Sequence, residues 1–348
     1  MSGNHRNNIK KIKKVKKVKK LKKKNKKKRL KKLIVFFLFE IIFTICSFPF
    51  VLLYGPFESA KRTYVGAAMS SMSHQYLATA FLSDEKINEI TGDYSEVVDE
   101  QENTDAGEID IPKVKDDTID TKILTNDKYT GYYMIVKDPT RIKVGYSSKL
   151  ETEGETTSQI AEHNEAIAAI NGGAFTDSSS SAQWTGNGGL PSGLIMNNGE
   201  IIFSDIGGDT GKTDMLAFTK EGKMIVGRYN IKEIREQGAV EALSFTPVLI
   251  SNGKRTQINS DWGIAPRTAI GQRKDGAVIL LVIDGRSIVG SKGASIAELQ
   301  EVMFKLGAHN AINLDGGKST TMYYNGEIVN NPSNSMGERP IPSAIIVK

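Results

Sequence analysis

One apolar segment constrains this chain more than any other feature. Residues 33–54 read LIVFFLFEIIFTICSFPFVLLY, and about 20 apolar residues are enough for a helix to cross the hydrocarbon core of a membrane. A cleaved signal peptide and a buried core helix are the alternatives. The apolar stretch is longer than the usual h-region of a signal peptide, and no small-x-small cleavage site follows directly. The segment therefore predicts one retained transmembrane helix.

The charges are strongly segregated around this segment. Residues 1–32 hold 18 of the 46 Lys and Arg side chains and no acidic residue. Subtracting these leaves 28 basic against 40 acidic residues, a net charge of about −12 for the remainder. By the positive-inside rule, the basic tail is cytoplasmic and the chain after residue 54 is extracellular. Nucleic-acid binding by the lysine run is the alternative. Because the run has no aromatic residue to stack on bases, a topology signal that also contacts anionic lipid is the better interpretation.

The rest of the chain divides by composition. Residues 55–91 carry apolar side chains at helical spacing and predict a helical stalk. Residues 92–121 are acidic and poor in large apolar groups, so we expect a flexible linker. Residues 122–348 then form a globular domain. Cys46, the only cysteine, lies in the apolar segment, which excludes an intrachain disulfide and a cysteine-based zinc site.

Hairpin signals dominate the globular part. The pairs Asn198-Gly199, Glu221-Gly222 and Asn325-Gly326 each separate two short apolar runs, as tight hairpin turns do. Helices are few among them. The pattern therefore predicts an α+β domain, with a mixed, largely antiparallel sheet and a few packed helices.

Three further segments carry a local signal of secondary structure, either a continuous apolar run or a capping box. Ala277–Ile283 is a continuous apolar run, which predicts a strand buried on both faces. Thr156 and Ser295 each begin a sequence with capping-box spacing and predict helix starts. We expect the helix that begins after Thr156 to end at Ile170.

Polar residues collect where these predicted elements end. The segments are NGG at 171–173, RTAIG at 267–271, DGR at 284–286, NLDGGKST at 313–320 and GERP at 337–340. Each alone has an ordinary interpretation: a helix C-cap, a surface arginine, a tight turn or an exposed ion pair. The glycines and hydroxyls that follow Asp315 can form an anion-binding nest. A nucleotide P-loop is not indicated, because the first glycine of that pattern is missing.

Taken together and in this order, these segments resemble the phosphodiester glycosidase family. The resemblance covers about residues 125–348. It also includes a helix segment S-x-x-E-L at 295–299, LGA at 306–308, NNP at 330–332 and a phenylalanine that ends NGGAF at 171–175. Two positions depart from the family pattern: Ala174 stands where an aromatic residue is frequent, and Lys318 where a third glycine is frequent.

The resemblance implies hydrolysis between a sugar anomeric carbon and a phosphodiester oxygen, in an exopolysaccharide or cell-wall phosphoglycan at the cell surface. Such a site needs carboxylates for the oxocarbenium-like sugar and donors for the phosphate. The implied carboxylates are Asp284, Asp315 and Glu338. The implied substrate-binding residues are Asn171, Gly172, Arg267, Arg286, Asn313, Gly316, Gly317, Ser319, Thr320 and Arg339, with both asparagines orienting sugar hydroxyls. No metal and no cofactor are expected.

Two other functions stay open. A non-catalytic module that binds anionic glycans or assists polysaccharide assembly would fit the departures at Ala174 and Lys318. A phosphodiesterase acting on lipid or nucleic acid would require a His and Asp metal cluster. The four histidines form no spaced pair in the sequence, and no G-x-S-x-G serine-hydrolase motif is present.

Overall fold

The computed structural model of the chain describes residues 3–57, 60–61, 64–65, 68, 75–83, 86–87, 90, 104, 106–176, 187–208, 210–258, 262–287, 290–334 and 336–348. For residues 3–28, the description covers the backbone. The chain divides into two compact units, Met1–Lys61 and Arg62–Lys348.

The first unit is one long helix, α1, at Gly3–Tyr54. It joins the basic tail to the apolar segment without a break. Within it, Arg29–Tyr54 is 26 residues long and contains an 18-residue stretch with a mean hydropathy of 2.4 and no buried residue. At 1.5 Å per residue, this length is about 39 Å and exceeds the thickness of a bilayer core. Length and composition thus make α1 a candidate for one membrane-spanning or signal-anchor helix.

The predicted stalk is described in part. Residues 60–61, 64–65, 68, 86–87 and 90 are helical, and α2 spans Tyr76–Thr79. Residues 80–82 form turns and a bend, which interrupts the helix expected here. Residues 58–59, 62–63, 66–67, 69–74, 84–85, 88–89 and 91 of the stalk, and residues 92–103 and 105 of the predicted linker, lie outside the described residues.

The later part of the predicted linker packs on the domain. We call Thr104 together with residues 106–118 the strap. The Thr104 side chain accepts from the Val226 N–H at 2.8 Å and donates to the Val226 carbonyl at 3.0 Å. Thr104 and Ile109 are buried, and Asp110 N–H donates to the Lys274 carbonyl. A few buried groups and main-chain bonds therefore connect the strap to the domain, in a segment whose acidic composition predicts a flexible linker.

Seventeen strands are present in the described residues. In chain order they are β1 Ile119–Thr125, β2 Thr130–Val136, β3 Ile142–Tyr146, β4 Ala168–Asn171, β5 Leu194–Asn197, β6 Glu200–Ser204, β7 Thr213–Thr219, β8 Met224–Tyr229, β9 Ala239–Ser244, β10 Val248–Ser251, β11 Lys254–Arg255, β12 Arg267–Arg273, β13 Val278–Ile283, β14 Ala308–Leu314, β15 Met322–Tyr324, β16 Glu327–Ile328 and β17 Ser343–Val347. Three further helices are α3 Thr157–His163, α4 Ile231–Glu236 and α5 Ile296–Lys305.

The strands form three sheets in which every described pair is antiparallel. The first sheet has the order β1-β2-β13-β12-β14-β10-β11, the second β16-β15-β4-β17-β3 and the third β6-β5-β9-β7-β8. All three sheets contribute to one central core, for example through Leu280, Ile345 and Leu216. The outer faces of the first, second and third sheets are covered by α5, α3 and α4, respectively. The expected α+β class is confirmed.

Local signals explain most of these elements. The turns at Asn198-Gly199 and Asn325-Gly326 have positive φ at both residues, as a type I′ hairpin turn requires. Thr156 and Ser295 both form complete capping boxes, as predicted. The helix after Thr156 does not reach Ile170, however. It ends at His163, and residues 168–171 form β4, because this short apolar run is buried between β15 and β17.

Candidate active site

Antiparallel pairing brings the predicted segments to one edge of the first sheet. β12 begins at Arg267, opposite the end of β13 at Ile283, and Thr268 pairs with Leu314 at the end of β14. The chain then continues through residues 315–321, which we call the glycine turn, into β15 of the second sheet. β15 lies beside the end of β4. The site thus lies where two sheets meet, and the strap contacts the opposite ends of β12 and β14.

Asn171, at the end of β4, is fully buried and ties these segments together. Its Nδ2 donates to the Asp315 carbonyl at 2.5 Å. Its Oδ1 accepts from the Thr268 hydroxyl at 2.7 Å and from the Thr321 N–H at 3.1 Å. Three of the four hydrogen bonds open to a carboxamide are therefore made within the protein. The role of orienting a sugar hydroxyl stays a prediction, whereas the structural role is visible.

The glycines after Asn171 permit close contact between main chains. Gly172 N–H donates to the Ser343 carbonyl, and the Gly172 carbonyl accepts from the Asp315 N–H. A Cβ on Gly172 would lie 2.7 Å from both the Ser343 carbonyl oxygen and its Oγ. Gly172 therefore fixes the distance between β4, β17 and the glycine turn through its backbone.

Asp284 is 7% exposed and lies directly after β13. Its Oδ1 accepts from Nδ2 of Asn330 at 2.9 Å and from the Asn331 N–H at 3.1 Å. Burial raises the pKa of Asp284, and these two donors oppose that increase. A carboxyl with a raised pKa, held by donors, is a suitable acid or charge-stabilising group.

Tyr132 lies beside Asp284 in the candidate site, and the sequence did not indicate it. It pairs with Val282 across β2 and β13, so it lies on the face that also carries Asp284, two residues further along. Burial, and then the charge of Asp284, raise the pKa of the Tyr132 phenol. A half-buried aromatic ring next to an acid can contact the apolar face of a sugar. Tyr132 lies in an ordinary strand pattern, and only its partner strand reveals it.

The glycine turn is closely fitted to its surroundings. Asp315 accepts from the Gly316 N–H through Oδ1 at 2.9 Å, and the Gly317 N–H donates to the Pro266 carbonyl. A Cβ on Gly316 would lie 2.7 Å from the Pro266 carbonyl oxygen. Gly317 has φ +62°, and a Cβ placed on it would lie 3.2 Å from an Nη of Arg286. The guanidinium of Arg286 therefore lies against the turn that follows Asp315.

Arg286 has the features expected of a cation that contacts a ligand. It is exposed, with φ +60°, a backbone conformation that costs energy for a residue with a side chain. Its backbone N–H donates to the Lys292 carbonyl, which holds the turn in place. Among the residues that the structure describes, no carboxylate forms an ion pair with its side chain.

The Arg267 side chain, unlike that of Arg286, is buried. It is 4% exposed, and its guanidinium donates to the carbonyls of Ala294 at 3.0 Å, Trp262 at 3.2 Å and Gly263 at 2.6 Å. These bonds fix the loop before β12 and the segment that leads into α5. A phosphate contact by Arg267 stays a prediction, whereas its three bonds to main-chain oxygens have a structural role.

Buried hydroxyl and amide oxygens surround the same edge. Asn313 donates to the Thr246 carbonyl at 2.8 Å, and the Thr320 hydroxyl lies 3.4 Å from that of Thr268. Within the described part of the chain, Oδ1 of Asn313 and the hydroxyls of Ser319 and Thr321 have no hydrogen-bond partner. Buried polar atoms of this kind are rare in proteins, and a ligand is one explanation for a group of them.

The GERP segment approaches from the second sheet. Glu338 accepts from the N–H of Ser158 at 3.0 Å and from its hydroxyl, so its carboxylate lies at the start of α3. The Arg339 guanidinium lies 4.7 Å from the centre of the Phe175 ring, at the end of NGGAF. A catalytic role for Glu338 stays a prediction. No group of three His, Cys, Asp or Glu side chains suited to a metal occurs within the described residues.

Comparison with known proteins agrees with this architecture. The phosphodiester glycosidase family model matches residues 164–348, more than half of the chain. The chain belongs to the phosphodiester glycosidase family. It is 28% identical over 221 residues to the SPbeta prophage-derived uncharacterized protein YomE of Bacillus subtilis, a match that covers 60% of this chain and 31% of that protein. It is 31% identical over 133 residues to bovine N-acetylglucosamine-1-phosphodiester alpha-N-acetylglucosaminidase, covering 33% of this chain and 25% of that enzyme.

Solved structures support the fold of this family member. The catalytic domain of zebrafish N-acetylglucosamine-1-phosphodiester alpha-N-acetylglucosaminidase, auto-inhibited by its pro-peptide, aligns with a TM-score of 0.55 at 22% identity, covering 69% of this chain and 86% of that one. A hypothetical protein from Synechocystis aligns with a TM-score of 0.50 at 14% identity, covering 66% and 61%. The chain spans about a third or less of the length of the curated relatives it matches.

Proposed function

We propose that residues 122–348 hydrolyse the bond between a sugar anomeric carbon and a phosphodiester oxygen. One observation carries the proposal: the turn after β13, which holds Asp284 and Arg286, lies against the glycine turn that carries Asp315, so two acids and a guanidinium lie at one edge. Membership of the phosphodiester glycosidase family supports the reaction class.

In this reaction, water attacks the anomeric carbon and the bond from that carbon to the phosphate oxygen breaks. The oxygen keeps the electron pair, so a phosphate monoester leaves and the sugar retains the hydroxyl of water. Phosphate is a fair leaving group, so less acid assistance is needed than for an ordinary glycoside. The main requirements are stabilisation of positive charge on the sugar, activation of the water and binding of the phosphate.

We assign the two acids and the cation to these tasks. Asp315, at the entrance to the glycine turn, stabilises the developing charge on the sugar. Asp284 accepts a proton from the attacking water, and burial favours this because it raises the pKa of the Asp284 carboxyl. Arg286 and the backbone of Gly316 and Gly317 bind the phosphate. Arg267 and Arg339 support this site through the main-chain carbonyls and the aromatic ring that they contact.

Substitution of Asp315 tests the assignment. Asp315→Asn keeps the shape and removes the charge, so kcat should fall by roughly 10²–10⁴-fold on a sugar-1-phosphodiester. The matched control is Asp275→Asn, which removes an exposed acid paired with Arg273 at the opposite end of the same sheet. Release of free sugar is the measurement. Full activity of Asp315→Asn would remove this residue from the mechanism.

We also propose that α1 anchors the chain as a single span, with the basic tail in the cytoplasm and the domain outside. The substrate would then be an exopolysaccharide or cell-wall phosphoglycan. The charge difference across the apolar segment supports this orientation. Protease added to intact cells with a permeable wall should remove the domain, and full protection of the domain would contradict the orientation.

A second function, binding of anionic glycans without turnover, is favoured by two observations. Glu338 is engaged by Ser158, and an exposed lysine occupies position 318 of the glycine turn. Tight binding of a phosphorylated glycan, with no sugar released from any sugar-1-phosphodiester, would favour this function over hydrolysis.

A further inference from the structure

A buried amide bridges the two turns of the site. Nδ2 of Asn330 donates to Oδ1 of Asp284 at 2.9 Å and to the Thr320 carbonyl at 3.2 Å. Its Oδ1 accepts from the Met322 N–H at 2.7 Å. Asn330 is 8% exposed. One side chain therefore connects the end of β13, the glycine turn and the start of β15.

We propose that Asn330 is a positioning residue for the reaction: its amide holds the Asp284 carboxylate at a fixed place relative to the glycine turn that carries Asp315. The proposal rests on the proposed function. The sequence places Asn330 in the NNP segment, without indicating which of the site residues it contacts.

The chemistry of the position requires a carboxamide. Two of its partners, the Asp284 carboxylate and the Thr320 carbonyl, are acceptors and need N–H donors, whereas the Met322 N–H needs an acceptor. A carboxylate at 330 would supply the acceptor but would oppose Asp284. An apolar residue would leave the Met322 N–H and the Thr320 carbonyl unsatisfied.

The groups around Asp284 explain why loss of the Asn330 amide should affect its carboxylate. The second donor is the main-chain N–H of Asn331, which follows directly from Asn330. Among the described residues, Tyr132 faces Asp284 from β2, Arg286 follows it in its own turn, and Asp315 lies in the neighbouring glycine turn. Loss of the Asn330 amide removes a direct donor and loosens the segment that supplies the other.

Substitution of Asn330 tests the inference in the full chain in detergent micelles. Asn330→Ala should lower kcat by roughly 10- to 100-fold with little change in KM, since a displaced acid affects the reaction more than binding. It should also raise the pKa of Asp284 by roughly one pH unit, because a donor to the charged form is lost. That pKa is measured from the carboxyl ¹³C signals of labelled aspartates, with Asp284→Asn identifying the signal.

Two further variants control the result. Asn310→Ala removes another fully buried asparagine, which donates to the Met224 carbonyl and accepts from the Asn252 N–H at the far end of β14. It should lower stability without changing the Asp284 signal or kcat. Asn330→Asp keeps the acceptor for Met322 and should raise the pKa of Asp284 further than Asn330→Ala, because two acids then share the site.

The outcomes separate the two proposals. Turnover by the wild type, with an Asp284 pKa and kcat that do not respond to Asn330→Ala, would overturn the positioning role alone. Absence of turnover by the wild type on every sugar-1-phosphodiester, with an Asp284 pKa that still depends on Asn330, would overturn the proposed function while the contact stands.

Discussion

Replacement of Asn171 by alanine should destabilise the domain more than its small loss of volume suggests. Asn171 is fully buried, and its side chain satisfies the Asp315 carbonyl, the Thr321 N–H and the Thr268 hydroxyl. In Asn171→Ala, the Thr268 hydroxyl keeps a neighbour in the Thr320 hydroxyl at 3.4 Å. The two main-chain groups lose the side-chain partner that they have in the wild type.

The expected cost follows from these two groups. A buried polar group left without a partner costs about 1–3 kcal/mol, so two cost about 4 kcal/mol together. In a domain of this size, each kcal/mol lowers Tm by about 2–4 °C, which predicts a decrease of about 8–16 °C. Total stabilities of domains are about 5–15 kcal/mol, so the variant should still fold at low temperature.

The assay is urea unfolding of the full chain in detergent, followed by tryptophan fluorescence. Both tryptophans, Trp184 and Trp262, fall within residues 122–348 of the sequence, so the signal excludes α1. Thr268→Val is the matched control, since it removes one hydroxyl bond to Asn171, and it should cost about 1 kcal/mol. If Asn171→Ala loses no more stability than Thr268→Val, Asn171 does not have the structural role that we assign to it.

Two further predictions concern parts of the domain away from the site. Thr104→Val keeps the shape of the side chain but leaves the Val226 N–H unsatisfied, so it should lower the free energy of unfolding by about 1–3 kcal/mol. The strap should also become easier to cleave in limited proteolysis. Unchanged protection from protease would show that the strap is held by other contacts. Burial raises the folded-state pKa of Glu241 above its unfolded value of 4.5. The stability that the protonated Glu241 contributes is therefore fully present below about pH 4, and it is lost as the pH rises through the folded-state pKa. As the pH rises from about 4 through this pKa, the stability of the wild type should therefore fall relative to Glu241→Gln. Parallel pH profiles of the two proteins in urea unfolding would contradict a raised pKa of Glu241.

The sequence predicts the elements of this fold where the signal is local. Asn198-Gly199 and Asn325-Gly326 determine their own turn geometry, and Thr156 and Ser295 form caps within a few residues. The run at 168–171 is too short for its period to separate helix from strand, and burial between β15 and β17 decides it.

The strap shows a second limit of local patterns. Its acidic composition predicts a flexible linker, yet Thr104 and Ile109 are buried against a domain that lies far along the sequence. Composition averages over a segment, whereas a few well-placed side chains and main-chain bonds hold this one. Nothing in the neighbouring residues indicates the partner strand.

For the candidate site, the sequence predicts which residues come together better than it predicts what each of them contacts. The sequence indicates Asp284, Asp315 and Arg286, and antiparallel pairing brings their turns together. It does not show that Arg267 donates to main-chain carbonyls or that Glu338 accepts from Ser158. These partners depend on which loops pack together, which is information held by the tertiary structure.

The bond that breaks is the central question, and hydrolysis in H₂¹⁸O measures it directly. Attack at the anomeric carbon places the ¹⁸O on the sugar, so the phosphate monoester product should contain none. Attack at phosphorus, as in a phosphodiesterase, would place one ¹⁸O in the phosphate monoester. We predict an unlabelled phosphate monoester by mass spectrometry. A phosphate monoester that carries one ¹⁸O would contradict glycosidic cleavage.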